Sequence, residues 1–270
     1  MGKNNDLSGR CAIVTGAAGG IGFSFCRELA SRNCGLIMVD ISEKRLSEAA
    51  GALKAVFPET PTYLLAADLT STDVIDRLEN FIKDNGIDPD ILINNAGIFS
   101  FAPVTEVSEM KINCFVDLHV RAVTLLSRWM AARRVKAGSG WILNMSSMSC
   151  WAPMPGLSMY AATKAYIRVF TRSLHYDMKD YGVKVMAACP GGIATDLFGL
   201  PDNLKRLAVR IGAIDTPERF TRNAINKLLK GKQQYINGWL NRIAIFMVGI
   251  TPTPIRMMVK HHLLDKGIKR

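Results

Sequence analysis

The sequence predicts a doubly wound α/β fold, in which helices cover both faces of a parallel sheet. Short runs of apolar residues alternate along the chain with segments of helical periodicity. The runs are apolar throughout, which is typical of strands buried on both faces. Right-handed crossovers between such strands build a doubly wound sheet, here of about seven strands. The 270 residues contain no linker rich in Pro, Gly or Ser, so we expect a single domain over residues 1–270.

The elements are predicted from these runs in chain order. Strands are expected at residues 11–15, 35–40, 63–67, 91–94, 141–145, 183–188 and 234–237. Helices are expected at residues 21–30, after Ser42, at residues 71–83, at residues 105–136 as one long or two abutting helices, and at residues 160–181. Residues from about 195 to 232 are expected to form a helical excursion that covers the substrate, and residues from about 239 to 270 a basic, apolar C-terminal extension.

The six cysteines show neither a C-x-x-C pair nor metal-ligand spacing, so we expect no metal site and a reduced protein with free thiols. The N-terminal stretch is polar and does not resemble a secretory signal. Gly2 suggests myristoylation, but Asp6 stands where that motif has Ser or Thr. These features predict a cytoplasmic protein.

The net charge of +11 is concentrated at the C-terminal end, because residues 201–270 carry 14 Lys and Arg against 4 Asp and Glu. Residues 238–250 are almost wholly apolar, but bilayer spans need roughly 20 residues. The basic and apolar residues that follow suit peripheral contact with an anionic membrane. The alternatives are a solvated tail or packing on a neighbouring subunit. The aromatic and basic motifs of nucleic-acid readers are missing from the sequence, so no nucleic-acid partner is expected.

A glycine cluster directly follows the first predicted strand and precedes a helix. This arrangement is typical of a loop that holds a pyrophosphate at a helix N-terminus. Gly16 allows the tight turn, Gly20 lets the backbone approach the phosphates, and Gly22 lets the helix pack closely on the sheet. The alternative is an ordinary turn.

Asp40 ends the second predicted strand, where a carboxylate accepts hydrogen bonds from ribose hydroxyls and repels a 2′-phosphate. The glycine loop contains no Arg or Lys, and the nearest basic residue after Asp40 is Lys44, one helical turn on. The sequence therefore predicts NAD as the cofactor, with NADP less favoured. The alternative is that Asp40 only caps the next helix.

Tyr160 and Lys164 lie four residues apart on a predicted helix, so their side chains share a face. A nearby ammonium favours the phenolate and lowers the pKa of a tyrosine. Such a tyrosine exchanges a proton with an alcohol or ketone near neutral pH. Ser147, at the end of the fifth strand, is placed to hydrogen-bond the substrate oxygen.

Together these motifs resemble the short-chain dehydrogenase/reductase family over roughly residues 7–200. Residues 15–22 fit its pattern T-G-x-x-x-G-x-G, and residues 94–97 match its N-N-A-G. Ser147, Tyr160 and Lys164 match its catalytic residues, including the thirteen-residue gap between the first two. The resemblance implies a Rossmann-like fold and a homodimer or homotetramer formed through the long central helices.

The resemblance also assigns cofactor contacts along the chain. Asp68 stands where the family places an acid against the adenine ring, Lys164 would bind the nicotinamide ribose, and residues 190–195 resemble the loop that holds the carboxamide. The implied cofactor-binding residues are Gly16, Gly20, Ile21, Gly22, Asp40, Asp68, Leu69, Asn95, Ala96, Gly97, Tyr160, Lys164, Pro190, Gly191, Ile193 and Thr195.

His119 stands where the family has a fourth catalytic residue, an asparagine of the central helix. In the family, that position helps to hold a water that relays protons to the lysine, largely through its backbone carbonyl. A backbone role could survive the exchange, and His119 could itself shuttle protons near pH 7. The alternatives are that His119 only packs, or that the alignment slips with respect to Asn113.

The predicted function is hydride transfer between NAD(H) and the alcohol or ketone group of a hydrophobic substrate, such as a steroid, a fatty-acyl derivative or another lipid. A wide apolar lining supports this prediction. Its expected members are Phe99, Phe101, Met148, Cys150, Trp151, Met154, Leu157, Met159, Leu197 and Phe198, some of which could instead be core or interface. The alternatives are a non-enzymatic dinucleotide-binding regulatory or scaffolding protein, and an epimerase or dehydratase, which tend to be longer.

Overall fold

The computed structural model of the chain describes residues 6–193, 214–249 and 251–264. Its sheet has seven strands, all parallel, in the order β3-β2-β1-β4-β5-β6-β7. The strands are β1 (Cys11–Thr15), β2 (Gly35–Asp40), β3 (Thr62–Ala66), β4 (Ile91–Asn94), β5 (Gly140–Met145), β6 (Val183–Ala188) and β7 (Gln234–Tyr235). The predicted doubly wound sheet is confirmed.

Nine α-helices lie within the described residues. They are α1 (Gly20–Ala30), α2 (Glu43–Lys54), α3 (Val74–Asp84), α4 (Glu109–Val116), α5 (Val123–Ala137), α6 (Ser158–Met178), α7 (Pro217–Leu229), α8 (Trp239–Gly249) and α9 (Thr253–Val259). A π-helical turn, Asp117–Ala122, joins α4 to α5. The central segment is therefore one continuous helix with a π-helical turn inside it. The prediction of one long or two abutting helices did not include this turn.

The strands are buried because both faces of the sheet are covered by helices. Val14 of β1 belongs to a core that α1, α2 and α7 close, with Phe25 and Phe220 among its side chains. Ile13, on the opposite face of β1, packs in a second core with α3 and α5. Successive strand residues point to opposite faces, which explains why these runs are apolar throughout.

The strand order reverses between β1 and β4, since β2 lies on one side of β1 and β4 on the other. The connections after these two strands leave in opposite directions and open a crevice at the carboxyl ends of the strands. The glycine loop after β1 and the N-N-A-G segment after β4 both start at this edge. Ligands of open α/β sheets bind in such crevices.

The described part of the predicted helical excursion over residues 195–232 contains α7. Phe220, Ile225 and Leu228 of α7 are fully buried in the core, and the hydroxyls of Thr221 in α7 and Ser24 in α1 form a hydrogen bond at 3.0 Å. This helix therefore covers one face of the sheet. Residues 194–213 lie outside the described part of the chain.

The predicted C-terminal extension contains α8 and α9 and a terminal π turn, Lys260–Leu264. Within the described part of the chain, none of the helices combines the length and apolar character that crossing a bilayer requires. Residues 265–270, which include three of the basic residues of the predicted tail, are outside the described residues.

Candidate active site

The glycine loop adopts a backbone that requires glycine. Gly16 and Gly20 have φ angles of 63° and 55°, in the left-handed region that side chains disfavour. A Cβ on Gly22 would lie 1.9 Å from the carbonyl oxygen of Gly16. The loop can therefore turn tightly onto the N-terminus of α1 only with these residues in place.

Thr15 and Asn95 join the glycine loop to the end of β4. The Thr15 hydroxyl accepts hydrogen bonds from the backbone N–H groups of Asn95 and Ala96, each at 3.0 Å. The Asn95 amide donates to the carbonyl oxygens of Thr15 at 3.0 Å and Gly16 at 3.3 Å. These bonds clamp the two sides of the crevice together. The positioning role of Thr15 was missed from the sequence, where it was only part of a motif.

Asp40 connects the end of β2 to the same loop. Its carboxylate accepts hydrogen bonds from the backbone N–H of Ala18 at 3.0 Å and of Ser42 at 3.2 Å. The N-cap of α2 is Ser42, whose hydroxyl accepts a hydrogen bond from the N–H of Arg45. Asp40 therefore does more than cap the next helix.

Lys44 is the nearest basic residue after Asp40 in the sequence, but in the fold Arg45 approaches the glycine loop. A guanidinium nitrogen of Arg45 lies 2.9 Å from the position that a Cβ would occupy on Gly19, within the glycine loop. Helix α2 folds back along the sheet and brings Arg45 to the loop, although the two are 26 residues apart. The mouth of the crevice thus holds one carboxylate and one guanidinium.

Tyr160 and Lys164 lie in the first two turns of α6, and Ser147 follows β5. The Lys164 ammonium donates a hydrogen bond to the carbonyl oxygen of Met145 at 2.9 Å and lies 5.7 Å from the centre of the Tyr160 ring. The Ser146 hydroxyl donates to the carbonyl oxygen of Lys164 at 2.7 Å, which anchors α6 to β5. The structure therefore brings together three of the four residues that were predicted to be catalytic.

Burial dominates the acid–base properties of this group. Burial lowers the pKa of the Lys164 ammonium to about 8. Burial also raises the pKa of Tyr160, and a hydrogen bond with Ser147 opposes that rise. The pKa of the phenol is therefore raised, where the sequence predicted that it is lowered, because desolvation of the phenolate outweighs the hydrogen bond with Ser147.

His119 lies in the π turn and is fully buried. Its Nε2 accepts a hydrogen bond from the backbone N–H of Ile98 at 3.1 Å, so the ring proton is on Nδ1, which donates to the Thr163 hydroxyl at 2.9 Å. Burial and the charge of Lys164 lower the pKa of His119 to about 2. The ring is thus neutral at pH 7, with one nitrogen accepting from Ile98 and the other donating to Thr163.

The other predicted cofactor residues differ in their exposure to solvent. Asp68 is exposed and accepts hydrogen bonds from the N–H and hydroxyl of Thr70, while Leu69 is buried. A Cβ on Gly97 would lie 2.9 Å from Nε2 of His119 and 3.4 Å from Nζ of Lys164. Thr195 lies outside the described residues.

The loop after β6 is held from the C-terminal side of the chain. The N–H of Gly191 donates to the side-chain oxygen of Asn237 at 2.7 Å, and Ile193 forms a β-bridge with Asp215. A Cβ on Gly191 would lie 2.3 Å from the amide of Asn241 in α8. Asn237 and Asn241 were not identified from the sequence, because only the folded chain brings them to this loop.

A cavity of 550 Å³ opens beside the catalytic residues. Ser147 and Tyr160 form its reactive end, and α8 contributes Ile245. Its other lining residues are Phe99, Phe101, Met148, Ser149, Trp151, Ala152, Leu157, Gly191 and Gly192. Five of the predicted lining residues are therefore present in the apolar wall.

The remaining predicted lining residues lie elsewhere. Cys150 and Met154 line a second cavity of 580 Å³, which shares Ser149, Trp151 and Ala152 with the first. Met159 lines neither of these two cavities. Leu197 and Phe198 lie outside the described residues.

The crevice fits a nicotinamide dinucleotide. Deeper in the crevice, a cavity of 120 Å³ is lined by Ile21, Asn95, Gly97, Tyr160, Lys164, Pro190, Gly191 and Ile193, among others. The glycine loop leaves room at the N-terminus of α1, where a Cβ on Gly20 would meet nothing within 4 Å. Backbone N–H groups and the helix dipole at that end suit a pyrophosphate.

A family model described as short chain dehydrogenase matches residues 10–202. The chain belongs to the short-chain dehydrogenase family. The match covers both sides of the crevice and all three residues of the Ser147, Tyr160 and Lys164 group.

Curated relatives of this short-chain dehydrogenase include two kinds of protein. Very-long-chain 3-oxoacyl-CoA reductase-B of Danio rerio is 27% identical over 258 residues, which span 94% of this chain and 79% of the relative. Inactive hydroxysteroid dehydrogenase-like protein 1 of Homo sapiens is 30% identical over 234 residues, which span 84% of this chain and 69% of the relative.

Solved structures share the fold of this short-chain dehydrogenase. A 7β-hydroxysteroid dehydrogenase superposes with a TM-score of 0.81 at 22% identity, covering 91% of this chain and 94% of that one. At that identity the likeness concerns the fold alone, and the site residues stand on the geometry described above.

Proposed function

We propose that this short-chain dehydrogenase transfers hydride between NAD(H) and the alcohol or ketone group of a hydrophobic substrate, of the fatty-acyl or steroid kind. The observation that carries the proposal is the 550 Å³ apolar cavity whose reactive end is formed by Ser147 and Tyr160. Ligand sites combine such an apolar wall with a few polar groups that fix the orientation. Relatives named as very-long-chain 3-oxoacyl-CoA reductases support the fatty-acyl class.

Each residue of the catalytic group has a distinct part. Tyr160 donates its phenolic proton to the carbonyl oxygen of a ketone, or takes a proton from an alcohol in the reverse direction. Ser147 hydrogen-bonds the same oxygen and stabilises the charge that develops on it. The dinucleotide, when bound, supplies or accepts the hydride at its nicotinamide ring.

Lys164 supplies positive charge and holds the site together. Its ammonium, anchored on the carbonyl oxygen of Met145, favours the phenolate form of Tyr160 as the proton leaves. With a pKa of about 8, the ammonium loses a proton more readily than an exposed lysine does. This property suits a residue that returns a proton to Tyr160 after each turnover.

His119 acts as a positioning residue in this proposal. Its ring bridges the N–H of Ile98 and the hydroxyl of Thr163. The ring thus ties the segment after β4 to α6, which carries Tyr160 and Lys164. The π turn also shifts the hydrogen-bonding pattern of the central helix at this point, as at many functional sites.

NAD is proposed over NADP because of Asp40. Each of its oxygens accepts one backbone N–H, and each retains a lone pair for a ribose hydroxyl. Arg45 is the counter-argument, since its guanidinium lies beside Gly19. The carboxylate of Asp40 is fixed by its two hydrogen bonds to the loop, whereas Arg45 is an exposed side chain. The charge of Asp40 therefore outweighs that of Arg45 in this proposal and favours NAD.

Nicotinamide absorbance followed with a panel of 3-oxoacyl derivatives, hydroxysteroids and small polar alcohols tests this function. We expect turnover of the hydrophobic substrates by the wild type, and a loss of at least about 10²-fold with Tyr160→Phe, since general acid–base catalysis contributes that much. Cofactor binding without turnover across the whole panel would instead support the non-enzymatic dinucleotide-binding alternative, to which the relative named as inactive lends weight.

A homodimer or homotetramer remains part of the proposal. Helix α6 exposes Tyr166, Val169 and Tyr176, of which Val169 is 58% exposed. Apolar side chains on one long helix suit an interface between subunits. The molar mass in solution, measured by light scattering, tests it, and a monomer at micromolar concentration would exclude it. A cytoplasmic location is likewise proposed.

A further inference from the structure

Exposed apolar side chains are concentrated on the two C-terminal helices. Trp239, Ile243 and Met247 of α8 are 70%, 52% and 55% exposed. They are spaced four residues apart, so they form one stripe along the helix. Ile255 and Met258 of α9 are 48% and 57% exposed. Exposed apolar area of this kind marks a surface that another body covers.

The opposite side of α8 belongs to the active site. Asn241 is buried against the loop after β6 and donates a hydrogen bond to the carbonyl oxygen of Asn237 at 2.8 Å. Ile245 lines the 550 Å³ cavity. Helix α8 therefore separates the 550 Å³ cavity, on one of its sides, from the apolar stripe, on the other.

A basic cavity lies at the start of α8. It has a volume of 320 Å³ and is lined by Lys227, Lys232, Gln234, Tyr235, Ile236 and Arg242. Three of the lining residues are cations, and the described lining includes no carboxylate. Arg242 belongs to α8 itself, so the basic cavity and the apolar stripe are parts of one surface.

We propose that this surface docks on a membrane that contains anionic phospholipid. The docking face consists of the stripe Trp239, Ile243 and Met247 together with the cations Lys227, Lys232 and Arg242. The stripe enters the boundary between headgroups and acyl chains, and the cations contact the headgroup phosphates. With its 11 residues, α8 lies along the surface.

Charge complementarity favours the membrane over a second copy of the chain. The protein carries a net charge of +11, and residues 201–270 hold most of it. A symmetric contact between two docking faces would bring the cations of both copies together, and like charges repel in such an interface. An anionic lipid surface supplies the opposite charge and an apolar layer at the same place.

The proposed function gives the docking a purpose, although the docking itself does not depend on it. A hydrophobic substrate dissolves in the bilayer, and the wall that separates the bilayer from the substrate cavity is the single helix α8. Movement of this helix would let such a substrate pass between membrane and active site without crossing water.

Co-sedimentation of the full chain with vesicles tests the proposal. We expect binding to vesicles of phosphatidylcholine with 30% phosphatidylglycerol, release by about 0.5 M salt, and little binding to phosphatidylcholine alone, because the attraction is screened. Replacing the stripe (Trp239→Ser, Ile243→Ser, Met247→Ser) should reduce binding at least tenfold. Replacing Lys227, Lys232 and Arg242 by Gln should weaken it roughly fivefold per charge removed.

Matched controls use exposed residues on other surfaces. Val56→Ser changes an apolar residue that is 53% exposed, and replacing Lys54, Lys83 and Lys136 by Gln removes the same charge elsewhere. Both should bind like wild type, with all variants checked by circular dichroism. Equal binding of stripe variant and control would overturn the proposal. The proposal would also be overturned if the wild type did not bind vesicles and the stripe variant had a different oligomer mass, because the docking face would then be an interface between subunits.

The two proposals fail separately. Vesicle binding is measured without turnover, and activity is measured on a substrate kept in solution without vesicles. A protein that binds vesicles but never turns over would remove the proposed function and leave the docking intact. An active protein that does not bind anionic vesicles would remove the docking proposal and leave the proposed function intact.

Discussion

Replacing Asp40 by Asn should shift the cofactor preference from NAD towards NADP. The carboxylate is held by the N–H groups of Ala18 and Ser42, at 3.0 and 3.2 Å. Asn keeps the size of the side chain but has a single acceptor oxygen, so one of these two N–H groups loses its partner and faces the NH2 group of Asn instead. The substitution therefore removes the charge of Asp40 together with one loop hydrogen bond, and the ratio of the two cofactor affinities reports the charge because the loop change affects both cofactors.

The magnitude follows from the hydrogen bonds and the charge. A hydrogen bond to a charged group contributes about 1.5–3 kcal/mol, and a neutral one about 0.5–1.5 kcal/mol. Two weaker ribose bonds therefore cost about 2 kcal/mol of NAD binding. Two like charges about 4 Å apart repel by about 4 kcal/mol at an effective dielectric constant of about 20, and solvent at this half-buried site reduces that value. The expected swing in the ratio of the two affinities is roughly 10²- to 10⁴-fold.

Isothermal titration of NADH and NADPH into wild type and Asp40→Asn measures this ratio. A double variant that also carries Arg45→Gln serves as the control, because it should lose NADH affinity like the single variant and gain less for NADPH. An unchanged ratio in Asp40→Asn would refute the assignment of Asp40 to the ribose. Equal NADPH affinity in the single and double variants would show that Arg45 does not approach a 2′-phosphate.

Three further changes test the rest of the site. Gly22→Ala should cost several kcal/mol of unfolding free energy, measured in urea, since its Cβ would lie 1.9 Å from the Gly16 oxygen; a loss below about 1 kcal/mol would contradict the loop geometry. Lys164→Met should abolish turnover. It should also raise the free energy of unfolding at pH 7 by up to about 3 kcal/mol, because the pKa of Lys164 is about 8 in the folded protein and 10.5 for an unperturbed lysine, so burying the charged ammonium costs stability. The unfolded state binds the extra proton between those values, so wild-type stability should rise from pH 8 to 10.5 and the variant should lack that rise. His119→Phe should raise the KM for cofactor or lower kcat without moving the pH profile of kcat. His119→Gln should recover part of the lost activity. A shifted pH profile in either variant would show that the His119 ring titrates during turnover.

Local patterns determined most of the fold and the catalytic group. Strands such as 183–188 were predicted with the bounds that the structure has, because a strand buried on both faces leaves an apolar run that needs no knowledge of distant residues. The glycine loop and the pairing of Tyr160 with Lys164 could likewise be predicted from the sequence. A backbone with positive φ and two side chains on one helical turn are properties of neighbours in sequence.

Helix starts and bounds were less well determined. Helix α3 begins at Val74 instead of residue 71, because Ser71 and Asp73 bond each other in a turn. The π turn that carries His119 was not predicted, since its period differs by one residue from that of an α-helix and leaves no separate pattern of apolar residues.

Only the tertiary structure decided the contacts between distant segments. Arg45 reaches Gly19, α7 packs into the core, and α8 separates a substrate cavity from an exposed apolar stripe. The pKa values of His119 and Lys164 depend in the same way on burial by the assembled chain. The sequence by itself determined which chemical groups the protein has and how adjacent ones are spaced. Burial and long-range proximity arise only when the sheet is assembled, because both depend on every segment that packs around a residue.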